Sequence, residues 1–578
     1  MTMARKTLLI CSGLTSVLIL RWLAHSIIKR QKKAKNEQKK LKAQSKRAEQ
    51  LNNLKAELKQ FSFEKSEEIL NLTVPELLEK LIKGELTSLQ VVSTYQKAAL
   101  ASHDQTNCLV EIINESKELC NSPIQQGQLL YGIPVCLKED IGLKGYTTCF
   151  GCAKWLEQPL IEDSVIVKVL KHHGAIPFVR TNLCQMTLTY ESSNPIYGET
   201  LNAVQNDRSP GGSSSGNGAL IGSGGSPIGI GSDMGGSLRL PAHFNGIVAL
   251  KPSVGRVSSK GCKPLFPGRE INPPAYGPQG KDVQSVVSLM KALASNIMYE
   301  LDETIPPLPF NNDLYESKKN FRIGYFDFNG VFPAVPAVKR AVEHTKNILS
   351  NKGYEMVNCS SWHEQIQFQV GVELITDHTL IDGCKEMMAA LDNEELDASF
   401  QQFIGFLRMP KFIQRLIAHM VSLSDQSTGR ILAKMINRDA SVTKLFEHGR
   451  IKQEYKEKIR SLWESENLDA IICPPCGVYA PPPKKYMNAV GPATTYASAW
   501  NITNYVAGVV PVTTVNEKDE KDLDQYLESN KSNPLAKLTC EGSRGGVGLP
   551  VGIQVITPPF REETCLNIMR QIEKGVKY

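Results

Sequence analysis

Serine is a poor nucleophile until a base takes its proton. A chain that sets many hydroxyls beside bare backbone therefore invites a search for that base. Residues 209–246 read SPGGSSSGNGALIGSGGSPIGIGSDMGGSLRLPAHFNG, rich in glycine and serine, without lysine, and with Asp233 and Arg239 as the only charged side chains. Upstream, the apolar run YGIPVCLK ends at Lys138. A lysine serves as a base where desolvation favours its neutral amine, and the end of an apolar strand is such a place. Two serines then become useful. Ser213 can sit between the amine and a second serine and pass the proton along. Ser237, opening the apolar helix SLRLPAHF, can attack. Backbone N–H groups of Met234, Gly235, Gly236 and Ser237 at that helix start would stabilise an oxyanion. Glycine fits there because a side chain would block the approaching carbonyl.

Other readings of the same stretch fit less well. A phosphate-binding P-loop needs GxxxxGK[ST], and from Ser209 onward no lysine occurs until Lys251. GIGSDMGG has the wrong spacing for a dinucleotide fingerprint. Gly212–Gly216 matches the GxSxG of a nucleophile elbow, but the preceding NAVQNDRSP is polar where a buried strand is required. Downstream histidines at 243, 363, 378, 419 and 448 keep that reading open.

The elements that must position these groups follow an alternating β/α rhythm. TVPELLEKLIKGELTSLQVVSTYQKAALA reads as two helices, with Pro75 near the first start and Gly84 at its end. A strand ends at Lys138, a helix starts at Ser164 and stops at Gly174, and a strand follows over 175–179. Later strands read at SPIGIGS, GIVAL, FRIGYF, LDAIICPP, AGVVPVTTV and GLPVGIQVI. This pattern predicts an α/β fold, a mixed sheet with helices on its faces.

GIPVCLKED, followed by the long Gly/Ser motif through GIVALKPS and by GVGLPVGIQVI, resembles the amidase signature family over roughly residues 72–572. The resemblance implies a Ser-Ser-Lys triad of Ser237 as nucleophile, Ser213 as bridging serine beside a cis peptide, and Lys138 as base. It makes Ser214, Asp233 and Arg239 supporting residues behind the site. It also implies a twisted, mostly parallel sheet of about eleven strands surrounded by helices, with no cofactor and no metal. YESSNPIYGETLN, PSVGRVS, GPQGKDVQSV, LRMPKFIQRLI and VAGVVPVTTV are similar to the animal fatty acid amide hydrolases. That narrower likeness implies a lipid amide substrate, such as an N-acylethanolamine or a primary fatty acid amide, and a homodimer. Thr187 and Leu188 stand where those enzymes have Met and Phe along the acyl channel. Ser215 follows the paired serines, and Asn217 replaces a usual acidic residue. A soluble-amide amidase or the glutaminase subunit of an amidotransferase would share the triad. A non-catalytic membrane scaffold would have no use for it.

Charge is unevenly placed. The chain carries +7 over 578 residues, yet its first sixty residues hold +12 and the rest −5. A mildly acidic body argues against nucleic-acid binding. Residues 7–28, TLLICSGLTSVLILRWLAHSII, are long enough to cross a bilayer at 1.5 Å per residue. The basic run that follows predicts that the body stays cytosolic. The expected organisation is a membrane anchor over 1–28, a basic helical stem over 29–60 and a catalytic domain over 61–578, on an intracellular membrane, with the endoplasmic reticulum as the expected one. Residues 403–424, FIGFLRMPKFIQRLIAHMVSLS, read as a basic amphipathic helix pair broken at Pro410, suited to dip into headgroups. The cysteine pairs CFGC and CPPC lie over three hundred residues apart without histidine at finger spacing, and read as buried thiols.

Overall fold

The computed structural model describes residues 3–61, 63–424, 426–436, 440–484, 486, 490–533 and 535–576, with backbone alone for residues 3–20, 22, 25, 424 and 427. Its centre is one sheet of eleven strands: β1 (Leu109–Ile112), β2 (Pro134–Lys138), β3 (Ile176–Thr181), β6 (Ile228–Asp233), β7 (Val248–Lys251), β8 (Ala275–Gly280), β9 (Arg322–Tyr325), β10 (Glu355–Asn358), β11 (Ala470–Cys473), β12 (Val506–Thr514) and β13 (Pro550–Thr557). They run in the order β1-β3-β2-β6-β8-β7-β12-β13-β11-β9-β10. The two-residue strands β4 (Ser193–Asn194) and β5 (Gly198–Glu199) pair separately.

The expected mixed sheet is present, but it is not mostly parallel. Parallel pairing is confined to β3-β2-β6 and to β11-β9-β10. The other pairings are antiparallel. The β/α rhythm governs the flanks, where helices carry the chain across from strand to strand. In the centre, neighbours in sequence become antiparallel neighbours in space. Thus β7 returns as β8 through the loop of residues 252–274, and β12 returns as β13.

Local signals explain the helix ends. Thr73 and Thr87 close capping boxes at Val74–Ile82 and Ser88–Thr106. Ser164 caps Val165–His172, and the chain leaves that helix at Gly174 with φ +75°. The described cysteines are all buried free thiols.

The amino-terminal helix is continuous from Met3 to Leu58. Its second half lies along the body of the protein rather than standing off as a free spacer. Leu54 and Leu58 are buried. Lys39 donates to the Lys154 and Leu156 carbonyls, and Lys40, Lys42, Lys46 and Lys55 pair with Glu395, Glu157, Glu111 and Asp104. Among the described residues no helix is long and apolar enough to cross a membrane. The side chains of residues 1–20, 22 and 25, on which the expected anchor rests, lie outside the described residues.

The 403–424 pair divides at Pro410 as expected, but its two helices face different ways. In Ala398–Arg408, Phe400, Ile404 and Leu407 are buried. They join Met186, Phe266, Leu380, Met387 and Leu391 in an apolar cluster separate from the main core, with Leu188 packed against it. In Lys411–Ser424, Phe412, Leu416, Met420 and Leu423 are each more than half exposed. At spacings of three and four residues they share one face.

Candidate active site

Strands β2 and β6 are parallel neighbours, so their carboxyl ends open on one edge of the sheet. Lys138 closes β2, and Ser232 and Asp233 close β6. Between them in sequence, the helix Ser215–Gly222 begins just after Ser213 and Ser214. It packs so tightly on β3 that a Cβ at Gly216 would lie 2.4 Å from the Asn182 backbone nitrogen. The Gly212–Ser213 peptide is cis.

The structure brings the sequence-predicted residues together. Lys138 Nζ is fully buried and lies within hydrogen-bond distance of Ser213 Oγ, at 2.8 Å. Ser213, Ser237, Met234 and Thr187 line one pocket, to which Phe150, Leu265, Phe266 and Tyr276 add apolar walls. The Ser214 backbone N–H donates to the Ser237 carbonyl at 3.3 Å, joining the two serine segments. The Ser214 hydroxyl points away, to the Ser232 carbonyl at 3.3 Å. Thr187 holds φ +52°, unusual for a β-branched residue.

Asp233 and Arg239 stand behind the Met234–Ser237 turn. Asp233 accepts from the backbone N–H of Gly236 at 2.7 Å and of Leu238 at 3.1 Å, from Arg239 twice at 3.0 Å, and from Asn501 at 2.8 Å. Arg239 continues to the Ala497 carbonyl, Gln554 and Asn501. Burial pushes the Asp233 carboxyl upward, but the charge and hydrogen bonds of Arg239 and Asn501 outweigh it, and the carboxyl is held well below the ordinary range. One expectation needs correction. The Gly236 N–H is directed at Asp233, so the donors in this turn without a hydrogen bond among the described residues are those of Met234, Gly235 and Ser237. Gly236 serves by its backbone instead, with φ +124° and a Cβ position 2.5 Å from Leu240 Cδ1.

Asn217, read as a departure from an acidic position, lies buried in the helix Ser215–Gly222. It accepts from Thr181 at 2.5 Å and donates to the Ile230 carbonyl at 2.9 Å and to Gln279 at 3.0 Å. Ser215 donates to the Asn182 carbonyl at 3.4 Å and takes no part in the pocket.

Two residues escaped sequence reasoning. Ser232 Oγ lies 2.7 Å from Lys138 Nζ, and Asp140 Oδ2 lies 2.5 Å from Ser232 Oγ and 3.3 Å from the amine. Both line the pocket. Their signal was positional: Asp140 falls just past the end of β2, and Ser232 is the penultimate residue of the adjacent β6.

A pocket at the strand ends, holding a buried lysine bonded to one serine with a second serine beside it, defines a hydrolase-type site on an α/β scaffold. Residues 90–566 match the Amidase family model. The chain belongs to the amidase signature family and is an amide-hydrolysing enzyme. It is 34% identical over 513 residues to fatty-acid amide hydrolase 1 of Sus scrofa, covering 88% of this chain and 86% of the relative. It is 33% identical to fatty acid amide hydrolase 1 of Caenorhabditis elegans, with 88% of each covered. A solved fatty acid amide hydrolase superposes with a TM-score of 0.75 over 92% of this chain and 89% of the other, at 22% identity, a likeness of fold.

Proposed function

We propose that this protein is a membrane-bound serine hydrolase that cleaves N-acylethanolamines and primary fatty acid amides to free fatty acid and amine. The observation that carries the reading is the buried 2.8 Å contact between Lys138 Nζ and Ser213 Oγ in a pocket shared with Ser237. Lys138 takes the Ser213 proton while Ser213 takes the Ser237 proton, and Ser237 Oγ attacks the amide carbonyl carbon. The N–H groups of Met234, Gly235 and Ser237 face the developing oxyanion. The proton returns through Ser213 to the leaving nitrogen, because an amide anion leaves poorly without one. Water then hydrolyses the acyl-enzyme by the same relay.

Three features support an apolar substrate delivered from a membrane. Two relatives spanning 88% of this chain are named as fatty acid amide hydrolases. An apolar cluster runs from Met186, Leu188 and Phe266 to the inner face of the helix Ala398–Arg408, beside the pocket. The exposed apolar face of Lys411–Ser424, flanked by Lys411 and Arg415, suits the headgroup layer. The amino-terminal segment 7–28 is the proposed anchor, with the body on the cytosolic side of an intracellular membrane. Release of free fatty acid from oleamide and anandamide by the detergent-solubilised chain, lost in Ser237→Ala, is the expected result. Labelling of Ser237 by a fluorophosphonate probe without turnover of either lipid would keep the nucleophile and reject the lipid substrate.

A further inference from the structure

We propose that Asp140 is a positioning residue for Lys138, acting through Ser232 to keep the amine's free electron pair turned toward Ser213. The inference rests on Lys138 serving as the base.

The argument is an inventory of hydrogens. As a carboxylate, Asp140 has no hydrogen to give. The 2.5 Å contact between Ser232 Oγ and Asp140 Oδ2 therefore uses the single hydroxyl hydrogen of Ser232. Ser232 can then only accept from Lys138, so the 2.7 Å contact between them takes a hydrogen from the amine. A neutral amine anchored in this way keeps its lone pair for Ser213, 2.8 Å away. When the Ser213 O–H bond breaks and its proton moves to Nζ, the ammonium carries three hydrogens. Ser213 Oγ, Ser232 Oγ and Asp140 Oδ2, at 3.3 Å, stand ready to receive them. Without an acceptor at 140, the Ser232 hydroxyl is free to turn and donate to Nζ, competing with Ser213 for the same lone pair.

The remaining contacts of Asp140 point the same way. Asp233, which holds the fold of the turn, engages both oxygens in five hydrogen bonds. Asp140 is also buried, yet its Oδ1 has no hydrogen-bond partner among the described residues. Its side-chain contacts run to Ser232 and Lys138, and both Asp140 and Ser232 form part of the pocket wall. A carboxylate placed for architecture would be tied elsewhere.

The test is a double-mutant cycle on the full-length, detergent-solubilised chain, reading kcat and KM for oleamide together with the melting temperature. Asp140→Ala and Ser232→Ala are each expected to lower kcat by about tenfold or more, with KM within about twofold. The double variant is expected to be no worse than the poorer single, because the two act in series. Asp140→Asn keeps an acceptor oxygen and is expected to stay within about threefold of the parent, as is Ser232→Thr. Multiplicative losses in the double variant, or an unchanged kcat in Asp140→Ala, would overturn the proposal. If Asp140→Ala does not fold, the near-isosteric Asp140→Leu takes its place in the cycle. Lys138→Ala is run alongside. Activity surviving in it rejects the base assignment itself, whereas an inactive Lys138→Ala beside a fully active Asp140→Ala rejects the role of Asp140 alone.

Discussion

Arg239 grips Asp233 with two hydrogen bonds of 3.0 Å, one from Nε and one from Nη2, and neither side chain reaches solvent. The pair ties the turn carrying Ser237 to the helix Thr495–Ile502 and to β13, through Ala497, Asn501 and Gln554. A lysine at 239 offers a point charge where a planar fork is required. Arg239→Lys is expected to lose activity and about 3–5 kcal/mol of stability, because a buried charge is left under-paired. Chemical denaturation with parallel rate measurements checks this. Because the folded Asp233 carboxyl is held below its ordinary range, its contribution is complete above about pH 4 and is lost as pH falls. Arg239→Lys removes part of this depression, so the variant's stability deficit against the parent should be full above about pH 4 and shrink as pH falls below it.

Lys251, at the end of β7, is buried and donates to the Pro252 carbonyl at 3.1 Å. Burial, and then the nearby Arg239 charge, lower its pKa from 10.5 to about 7. Between about pH 7 and 10.5 the unfolded chain binds more protons than the folded one, so stability rises with pH through that window. Lys251→Met removes the titration. The variant's gain in melting temperature over the parent is expected to be largest at pH 7 and to shrink toward pH 10. Parallel curves for the two proteins would contradict the assignment.

Much of the site was legible because its chemistry sits in one continuous stretch. Ser213, Ser237, Asp233 and Arg239 lie within 27 residues of each other, and Lys138 ends an apolar strand that reads as one. Eight strands announced themselves by apolar runs. The three that did not are instructive. β8, AYGPQG, reads as a turn, yet it is buried throughout, and a Cβ at Gly277 would lie 2.2 Å from the Leu250 carbonyl oxygen. β10 is an edge strand with no buried residue, so no pattern marks it. β1, LVEI, breaks its short apolar run with the half-buried Glu111. Asp140 and Ser232 were invisible for a different reason: their meaning depends on which strand lies beside β2, and pairing order is a property of the whole sheet. The split of the 403–424 pair into an inward and an outward helix likewise depends on what packs beneath it.

Asn217 tests how far a departure from the family pattern is built into this core. Its amide donates to two acceptors, the Ile230 carbonyl and Gln279 Oε1, and its oxygen accepts from Thr181. Aspartate is of the same size but donates nothing when ionised. Asn217→Asp would set a buried carboxylate against two oxygens. The expected cost is about 3 kcal/mol or more, measured by denaturant midpoint. A neutral result would mean that Gln279 turns its amide to compensate.

The helix Lys411–Ser424 gives the membrane reading its sharpest test. Phe412, Leu416 and Leu423 are exposed apolar side chains on one face, and they belong neither to the main core nor to the cluster beside the pocket. Replacing all three by serine removes apolar area from the outer face while leaving Ala398–Arg408 packed against the pocket cluster. Binding to vesicles containing anionic lipid should fall by about tenfold or more, since each large apolar side chain contributes about 1.5 kcal/mol or more when buried. Turnover of a short, water-soluble amide should stay unchanged, because the site residues are untouched. Turnover of a long-chain amide presented in vesicles should drop with the binding. If vesicle binding persists at the parent level, the outer face is not the contact and the amino-terminal segment alone holds the protein at the membrane. If turnover of the soluble amide falls as well, the helix supports the pocket, and its exposed residues serve the fold rather than the bilayer.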